Sequence, residues 1–259
     1  MTEILQSKLP FAPWMDPRTA RLPGVLPIEG DDWLRVDDAY AGQMARRDQL
    51  IAEVPQVVLG QLPDGIGAAQ ELYDLVLLRL TGLPGFHIGA DSAVRPDGVT
   101  VALDRDHPLR TLGRLVQEDL CIMEKRGEQH VLTGAVLCFP ASWSLEQKLG
   151  RVLTGIHTPV AVYDADLARR VQRMFDVIRV EQPLWRMNAL VYADPELHQS
   201  RREDSPRIDR RNGQYVRAER QTMMRLPKTG AVLFAIHTYV VALSSLTEAE
   251  RNGLETARL

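Results

Sequence analysis

One histidine of the chain stands between a glycine and a proline in otherwise apolar surroundings. His157 lies in "KLGRVLTGIHTPVAVY" (148–163), shortly after Gly155 and shortly before Pro159. Glycine is favoured just past a helix, and proline biases the residue before it toward an extended conformation. The imidazole is therefore expected on a short, stiff connection between two helices. Such a fixed, neutral imidazole suits an axial iron ligand beside an apolar cavity, and a hydrogen-bonded core histidine is the alternative.

A second group of residues that could bind a ligand or take part in catalysis lies in the segment "RAERQTMMRLP". Strand alternation places Glu219, with Arg217 and Gln221, on one side and Arg220 on the other. Arg220 points inward if the apolar side consists of Val216, Ala218, Thr222 and Met224. An inward arginine must be paired or must face a polar ligand. The alternative is a ladder of charges on the protein surface.

His237 belongs to a third segment, "AVLFAIHTYVVAL", on the side of the strand that carries Leu233, Ala235 and Tyr239. It is expected either to point into a pocket or to pair with Tyr239. Motifs of several enzyme classes are absent from the sequence: the H-E-x-x-H of zinc hydrolases, the G-x-S-x-G of acyl enzymes and the G-x-G-x-x-G of dinucleotide-binding folds. These absences disfavour zinc hydrolysis, covalent acyl chemistry and an internal nicotinamide site.

The composition narrows the class of protein. The chain has 259 residues, 45% of them hydrophobic, and a formal net charge of −3, so it lacks the basic footprint of a nucleic-acid-binding protein. No apolar run approaches the roughly 20 residues of a membrane helix, and the N terminus lacks a signal-peptide core. Cys121 and Cys138, the two cysteines, provide neither a disulfide framework nor an iron–sulfur cluster. We therefore expect a soluble, cytoplasmic protein that would take any electrons it needs from outside.

Hydrophobic periodicity predicts mostly helices in the first half of the chain and mostly strands in the second. A proline-rich extended arm is expected over 8–30 and short strands with turns over 84–105. Helices are predicted over 38–53, 68–80, 108–125, 145–154, from Asp164 or Asp166 to about 178, and at the C-terminal end, with capping boxes starting at Ser144 and Thr247. Strands are predicted at "HVLTGAVLCFP", "LWRMNALVY", "QYVRAERQTMMRL" and "AVLFAIHTYVVAL", the last two joined as a hairpin by "PKTG".

Six short motifs in a fixed order give the chain a family resemblance. Residues 115–239 contain, in order, "VQEDL", "CFPASWSLEQKLG", "IHTPV", "WRMN", and "RAERQTMMRLP" followed by "AVLFAIHTY", and "WLRVDDAYAGQMARRDQLI" precedes them at 33–51. Together they resemble the heme-dependent oxidative N-demethylase family over most of the chain. The family pattern differs at Ala161, Ala189 and His237, so the resemblance leaves the substrate undefined.

The resemblance implies an α+β fold, with a PAS-like antiparallel sheet, flanking helices and an added helical N-terminal region. It implies a single heme-binding domain over 1–259, divided into an N-terminal arm and helices (1–128), a PAS-like core (129–243) and a C-terminal helix (244–259). The order of strand, helix, helix and three strands, read from periodicity alone, fits a PAS topology.

The resemblance also implies a b-type heme whose iron is bound by His157. The residues expected to contact the cofactor beside it are Val160, Tyr163 and His237. The residues expected to polarise bound oxygen and orient the substrate are Arg220, Glu219 and Asn188.

The implied function is that of a monooxygenase that oxidises a small amine with O2, for example by oxidative N-demethylation. Its electrons would come from an external flavin or iron–sulfur reductase, with which the chain would form a complex. The alternatives are a heme-based PAS-type gas or redox sensor, a heme-binding subunit without catalysis of its own, and a heme-free interaction protein.

Overall fold

A seven-stranded antiparallel sheet organises the chain in the computed structural model, which describes residues 4–20, 22–156, 165–205 and 213–257. The strands, in chain order, are β1 (Leu26–Pro27), β2 (Leu59–Gln61), β3 (His87–Ile88), β4 (Ser92–Val94), β5 (Thr100–Ala102), β6 (Asp119–Arg126), β7 (Gln129–Val136), β8 (Leu184–Tyr192), β9 (Tyr215–Arg225) and β10 (Val232–Ala242). The helices are α1 (Tyr40–Glu53), α2 (Pro55–Val58), α3 (Ile66–Leu80), α4 (Pro108–Gly113), α5 (Leu145–Lys148), α6 (Leu153–Ile156), α7 (Ala165–Val177) and α8 (Glu248–Ala257).

The sheet order places the last strand, β10, beside β6, the first long strand of the chain. Across the sheet the order is β1-β8-β9-β10-β6-β7-β2, and every pairing is antiparallel. The short strands β3, β4 and β5 form a separate sheet. Helices α5, α6 and α7 lie in the chain between β7 and β8. The fold is therefore α+β with a large antiparallel sheet, as predicted.

Both faces of the sheet are covered, and the alternation of β9 and β10 defines them. Face A carries the even-numbered residues of β9 and the odd-numbered residues of β10, and face B carries the others. Helices α1, α3 and α4 pack on face A, where Leu72 and Leu112 join a cluster with Leu120 and Leu233. The arm at 9–14 and α8 cover the rest of face A. Helices α5, α6 and α7 pack on face B, where Phe175 meets a cluster that includes Met223.

Burial on both faces explains why the longest strands show no simple alternation of polar and apolar residues. Residues 216–224 of β9 are all buried, as is typical of a strand that is covered on both sides. The observed β8 coincides with "LWRMNALVY", and β9 and β10 form the predicted hairpin with Arg225 opposite Val232. The helices predicted at 38–53 and 68–80 and the short strands within 84–105 are also confirmed.

The helix predicted over 108–125 is wrong. The helix ends at Gly113, and β6 begins at Asp119. The spacing of Leu109, Leu112 and Val116 is helical, but Leu120 to Met123 are all buried because β6 lies between β10 and β7. A strand covered on both faces carries a continuous apolar run, which periodicity cannot distinguish from a buried helix. The large sheet therefore takes β6, as well as the short strands β1 and β2, from within residues 1–128.

The single helix predicted over 145–154 is also wrong, because the chain forms two four-residue helices there, α5 and α6. Gly150 separates them with a φ of +78°, a conformation that glycine adopts without strain. Ser144 does not cap α5 through the backbone, and its hydroxyl instead contacts the Gln147 side chain at 3.1 Å. The second predicted capping box is confirmed, since Thr247 Oγ1 accepts the amide of Glu250 and the Glu250 carboxylate accepts the amide of Thr247.

A fully buried ion pair fixes the start of β6 to the helical layer. Arg47 of α1 lies 2.7 Å from Asp119, and both side chains have no exposed surface. Arg47 also donates to the carbonyl of Gly113, while Asp119 accepts the amides of Cys138 and Phe139. The pair therefore ties α1, α4, β6 and the chain after β7 together.

We expect Arg47→Met to lower the free energy of unfolding by about 3–5 kcal/mol, because it leaves the carboxylate of Asp119 buried without its cation. Urea denaturation measures the loss. Arg46→Met is the matched control, because Arg46 pairs with Glu196 at the partly exposed surface and should contribute at most about 1 kcal/mol. Equal effects of the two substitutions would contradict the role given to the buried pair.

Candidate functional site

The residue with the strongest ligand signature lies outside the part of the chain that the structure describes. His157, Val160 and Tyr163 all fall in the gap between 156 and 165. The elements on either side of the gap are described. Ile156 of α6 and Val171 of α7 both pack against the apolar cluster of face B. The described segments on both sides of the gap therefore pack on face B.

Face B carries a patch of polar side chains on three neighbouring strands. We call it the polar patch, and it consists of Arg186, Asn188, Arg217, Glu219, Gln221 and Thr238. The register places Asn188 of β8 and Thr238 of β10 on either side of Glu219, and Arg186 beside Gln221. The structure thus brings together two of the predicted catalytic residues, Glu219 and Asn188.

Four members of the polar patch, Arg186, Gln221, Glu219 and Arg217, are joined by a chain of hydrogen bonds. Arg186 Nη1 donates to Gln221 Oε1 at 3.2 Å, and Gln221 Nε2 donates to Glu219 Oε2 at 3.3 Å. The other oxygen of Glu219 lies 3.5 Å from Arg217 Nη2. Arg217 also donates to the carbonyls of Leu197 and Phe139, which follow β8 and β7 in the chain. The patch is therefore anchored at one end by backbone and open at the other.

Three buried atoms of the polar patch have no hydrogen-bond partner among the described residues: Arg186 Nε, Arg217 Nε and Thr238 Oγ1. Burial lowers the pKa of Arg186, and the negative charge of Glu219 offsets only part of this lowering. Buried polar atoms are almost always satisfied in folded proteins, so a cluster of exceptions on one sheet face requires an explanation. A bound polar ligand is the explanation that fits their shared orientation.

Apolar side chains continue face B next to the polar patch. Leu184, Met223 and Phe234 belong to the next row across the same strands, and they join the cluster formed with Phe175 and Cys121. Face B therefore offers a ligand an apolar wall at one end and hydrogen-bond donors at the other. The arrangement suits an amphipathic molecule.

The third predicted catalytic residue, Arg220, lies on face A and does not reach the polar patch. Its guanidinium donates to the carbonyl of Asp32 at 2.8 Å and to Thr222 at 3.1 Å, and it lies over the ring of Trp185 at 5.3 Å. The inward orientation expected for Arg220 is observed, but both sides of β9 are buried. Arg220 and Glu219 therefore cannot contact one ligand on the same face.

His237 also lies on face A, within a network of buried charges. Its Nδ1 is 2.8 Å from Glu118 Oε1, and its Nε2 is 2.9 Å from Asp37 Oδ2. Its ring lies 4.6 Å from that of Tyr239, the neighbour expected from the sequence. With both ring nitrogens bonded to carboxylates, neither is available to a metal ion in this arrangement.

Three neighbours determine the protonation of His237. Burial lowers the pKa of the imidazole, but the interaction with Tyr239, the charge of Glu118 and the hydrogen bonds to Asp37 and Glu118 outweigh burial, so the pKa lies well above its usual value. For Asp37, burial raises the pKa but the bonded His237 outweighs it, so its pKa is lowered. The ring is therefore an imidazolium that holds the segment containing Asp37 to β10 and to Glu118.

The sequence analysis missed Arg186, Thr238 and the carboxylate partners of His237. A signal for Arg186 existed, because "WRMN" places Arg186 and Asn188 on one side of a strand. Thr238 gave no signal, since threonine is common in strands. Asp37 and Glu118 are far from His237 in the sequence, so no local pattern indicated that they contact it.

Face B therefore sets an apolar cluster beside polar donors that have no partner among the described residues. Comparison with known families then defines the chain further. The family model described as "Haem-dependent oxidative N-demethylase, alpha subunit-like" matches residues 24–258. The chain belongs to this family, as the motif resemblance predicted. The description supports a heme-dependent oxidoreductase at the level of class.

No group of three or more His, Cys, Asp or Glu side chains in the described ranges is arranged to hold a metal ion. Within the same ranges, no helix has the length and apolar character needed to cross a membrane. The predicted cytoplasmic location stays a prediction.

The residues of face B fit a heme. A porphyrin has a large apolar body and two carboxylates at one edge, and face B offers Met223 and Phe234 beside the unpartnered donors of Arg186 and Arg217. The described segments nearest His157 pack on the same cluster. The fit rests on the unpartnered donors of Arg186 and Arg217, which lie beside the apolar cluster of the same sheet face.

We expect the stabilisation by His237 to depend on pH in a defined direction. A raised folded-state pKa stabilises the protein fully below the unfolded value of about 6.5, and the effect is lost as pH rises through the folded value. The difference in unfolding free energy between the wild type and His237→Gln should therefore be largest near pH 6 and shrink at higher pH. Urea denaturation across this range measures it.

The exposed His87→Gln provides the control and should change the unfolding free energy by no more than about 0.5 kcal/mol. A difference for His237→Gln that grows with rising pH would contradict the imidazolium assignment.

Proposed function

We propose that the chain is a heme-dependent monooxygenase that oxidises a small amine by N-demethylation on face B. The observation that carries this proposal is the cluster of unpartnered donors on Arg186, Arg217 and Thr238 beside an apolar wall. Membership of the family adds the class of cofactor. The order β7-β6-β10-β9-β8, with helices between β7 and β8, supports the PAS-like prediction.

In this proposal each part of the site has a separate task. Heme, when bound, supplies the activation of O2, and His157 holds its iron with Val160 and Tyr163 beside it. The apolar cluster around Met223 and Phe234 excludes water from the macrocycle. The other residues of the polar patch contact the edge of the cofactor and the substrate.

Glu219 is the proposed binding group for the amine. Its side chain is buried, and its two oxygens make only long contacts of 3.5 Å and 3.3 Å with Arg217 and Gln221. A buried carboxylate with remaining acceptor capacity attracts an alkylammonium ion, and the amide of Asn188 beside it provides a second polar contact. These two residues would hold the nitrogen and direct its methyl group toward the cofactor.

The overall reaction requires electrons from another protein. One oxygen atom enters an N-methyl C–H bond, and the other leaves as water with electrons and protons from a donor. The resulting carbinolamine breaks into the demethylated amine and formaldehyde. The sequence contains no dinucleotide fingerprint, so we propose an external flavin or iron–sulfur reductase as the donor.

We expect His157→Ala to fold but to be purified without a Soret band, because the axial ligand of the iron is lost. Added imidazole should partly restore the band, since it replaces the missing ring. Absorption spectroscopy of the purified variants measures heme content, and circular dichroism checks the fold.

The control is His107→Ala, which removes an exposed histidine paired with Asp104 and should retain heme. His237→Gln should retain heme as well. Full heme occupancy in His157→Ala, with loss in His237→Gln, would reverse the choice of ligand and of sheet face.

We expect the heme-loaded chain to release formaldehyde from dimethylamine or a related N-methylamine only when a reductase is added. Glu219→Gln should raise the KM for the amine about tenfold or more, because the ammonium ion loses its charged partner, while heme content is unchanged. A formaldehyde assay over a panel of amines measures both effects.

The exposed Glu128→Gln is the matched control and should leave KM unchanged. Turnover by the isolated chain with NADPH alone would contradict the need for a partner. A protein that binds heme and O2 but produces no formaldehyde from any amine would favour the gas-sensor alternative.

A further inference from the structure

We propose that Arg186 and Arg217 form a carboxylate-binding site on face B. The proposal rests on the proposed function in so far as face B receives a ligand, and it adds the chemistry by which that ligand is oriented. The carboxylate belongs either to a porphyrin propionate or to the substrate, for example an N-methylated amino acid.

Arg186 is a largely buried cation with little to neutralise it. Of its five N–H donors, only those on Nη1 reach a described partner, the neutral amide oxygen of Gln221 at 3.2 Å. Its Nε is buried without a partner, and no carboxylate of the described residues lies within ion-pair distance of it. Burying an unpaired charge is costly, so the observed arrangement is incomplete as it stands.

Arg217 adds a second charge to the same sheet face. Its Nη atoms donate to two backbone carbonyls, its Nε is buried without a partner, and its nearest carboxylate is Glu219 at 3.5 Å. The polar patch therefore holds two guanidinium groups and one carboxylate, that of Glu219, which contacts Arg217. The net positive charge of the patch predicts a ligand with at least one negative charge.

Two other buried arginines of the chain each have a carboxylate at close range. Arg47 lies 2.7 Å from Asp119, and Arg95 lies 2.9 Å from Asp48 and 2.7 Å from Asp97. Each of them also donates to a backbone carbonyl. Arg186 has neither kind of partner within the described residues. A carboxylate matches the missing element, because its two oxygens accept from the planar fork of a guanidinium.

The site is tested by titrating the heme-free chain with heme and with heme dimethyl ester, in which both propionates are neutralised. If a propionate is the ligand, the wild type should bind heme at least about tenfold more tightly than the ester, and Arg186→Gln should remove this preference. Absorption at the Soret band measures both affinities. Arg110→Gln, which removes an exposed arginine of α4, should behave as the wild type.

The second arm tests the substrate as the source of the carboxylate. If the substrate carries it, the heme-loaded wild type should bind N-methylglycine at least about tenfold more tightly than dimethylamine, as measured by the perturbation of the Soret band. Arg186→Gln should then remove that preference and leave heme affinity unchanged. If Arg186→Gln changes neither preference in a folded protein, the proposal is overturned.

Failure of the proposed function gives a different result. If the wild type binds neither heme nor its ester, the oxidase assignment fails. The anion site would still be supported by a rise in Tm with millimolar N-methylglycine that Arg186→Gln abolishes. The absence of such a rise in the wild type would overturn the site too.

Discussion

The central constraint on this structure is that its sheet is buried on both faces, so every polar side chain in the sheet must find a partner within the protein or in a ligand. β9 carries Arg217, Glu219, Arg220 and Gln221, and all four are buried. In a sheet with one wet face, half of these residues would be hydrated and would need no explanation. Here each of them demands an account of its hydrogen bonds.

The two faces meet this demand in different ways. On face A the polar groups neutralise one another, since His237 lies between Glu118 and Asp37 and Arg220 meets Asp32. On face B the polar patch leaves donors on Arg186, Arg217 and Thr238 without partners among the described residues. Face A also holds a buried atom without a partner, Glu118 Oε2, but its buried charges are paired, whereas Arg186 on face B has no carboxylate within ion-pair distance among the described residues. The contrast is the reason for assigning the ligand to face B.

The supporting structure explains how the polar patch is held in place. The Arg47–Asp119 pair fixes the amides of Cys138 and Phe139, and the carbonyl of Phe139 accepts a hydrogen bond from Arg217. A run of direct contacts therefore extends from α1 to the polar patch. Rigid support of this kind limits the freedom of the guanidinium and reduces the entropy lost when a ligand binds.

The sequence was sufficient for the elements with strong local signals. The hairpin of β9 and β10 and the strand β8 were predicted because long apolar segments were bounded by turn residues. β6 was missed because a strand buried on both faces has no periodicity of its own. Within the site, alternation separated Glu219 from Arg220 correctly, but it could not show that both sides of β9 would be buried.

The partners of the buried charges could not be predicted from the sequence, for a related reason. Asp37, Glu118 and His237 meet through tertiary contacts across most of the chain, and no local pattern encodes such a meeting. Arg186 was visible as one residue of a motif, but its lack of a partner is a property of the folded protein. The family resemblance supplied the cofactor class, which neither composition nor spacing could provide.

A crystal structure of the chain grown with heme tests the central claim most directly. The account predicts a porphyrin on face B, with its ring against Met223 and Phe234, its iron bound by His157 and a carboxylate within hydrogen-bond distance of Arg186. A porphyrin bound on face A, or on face B with Arg186 and Arg217 still without an anionic partner, would contradict it.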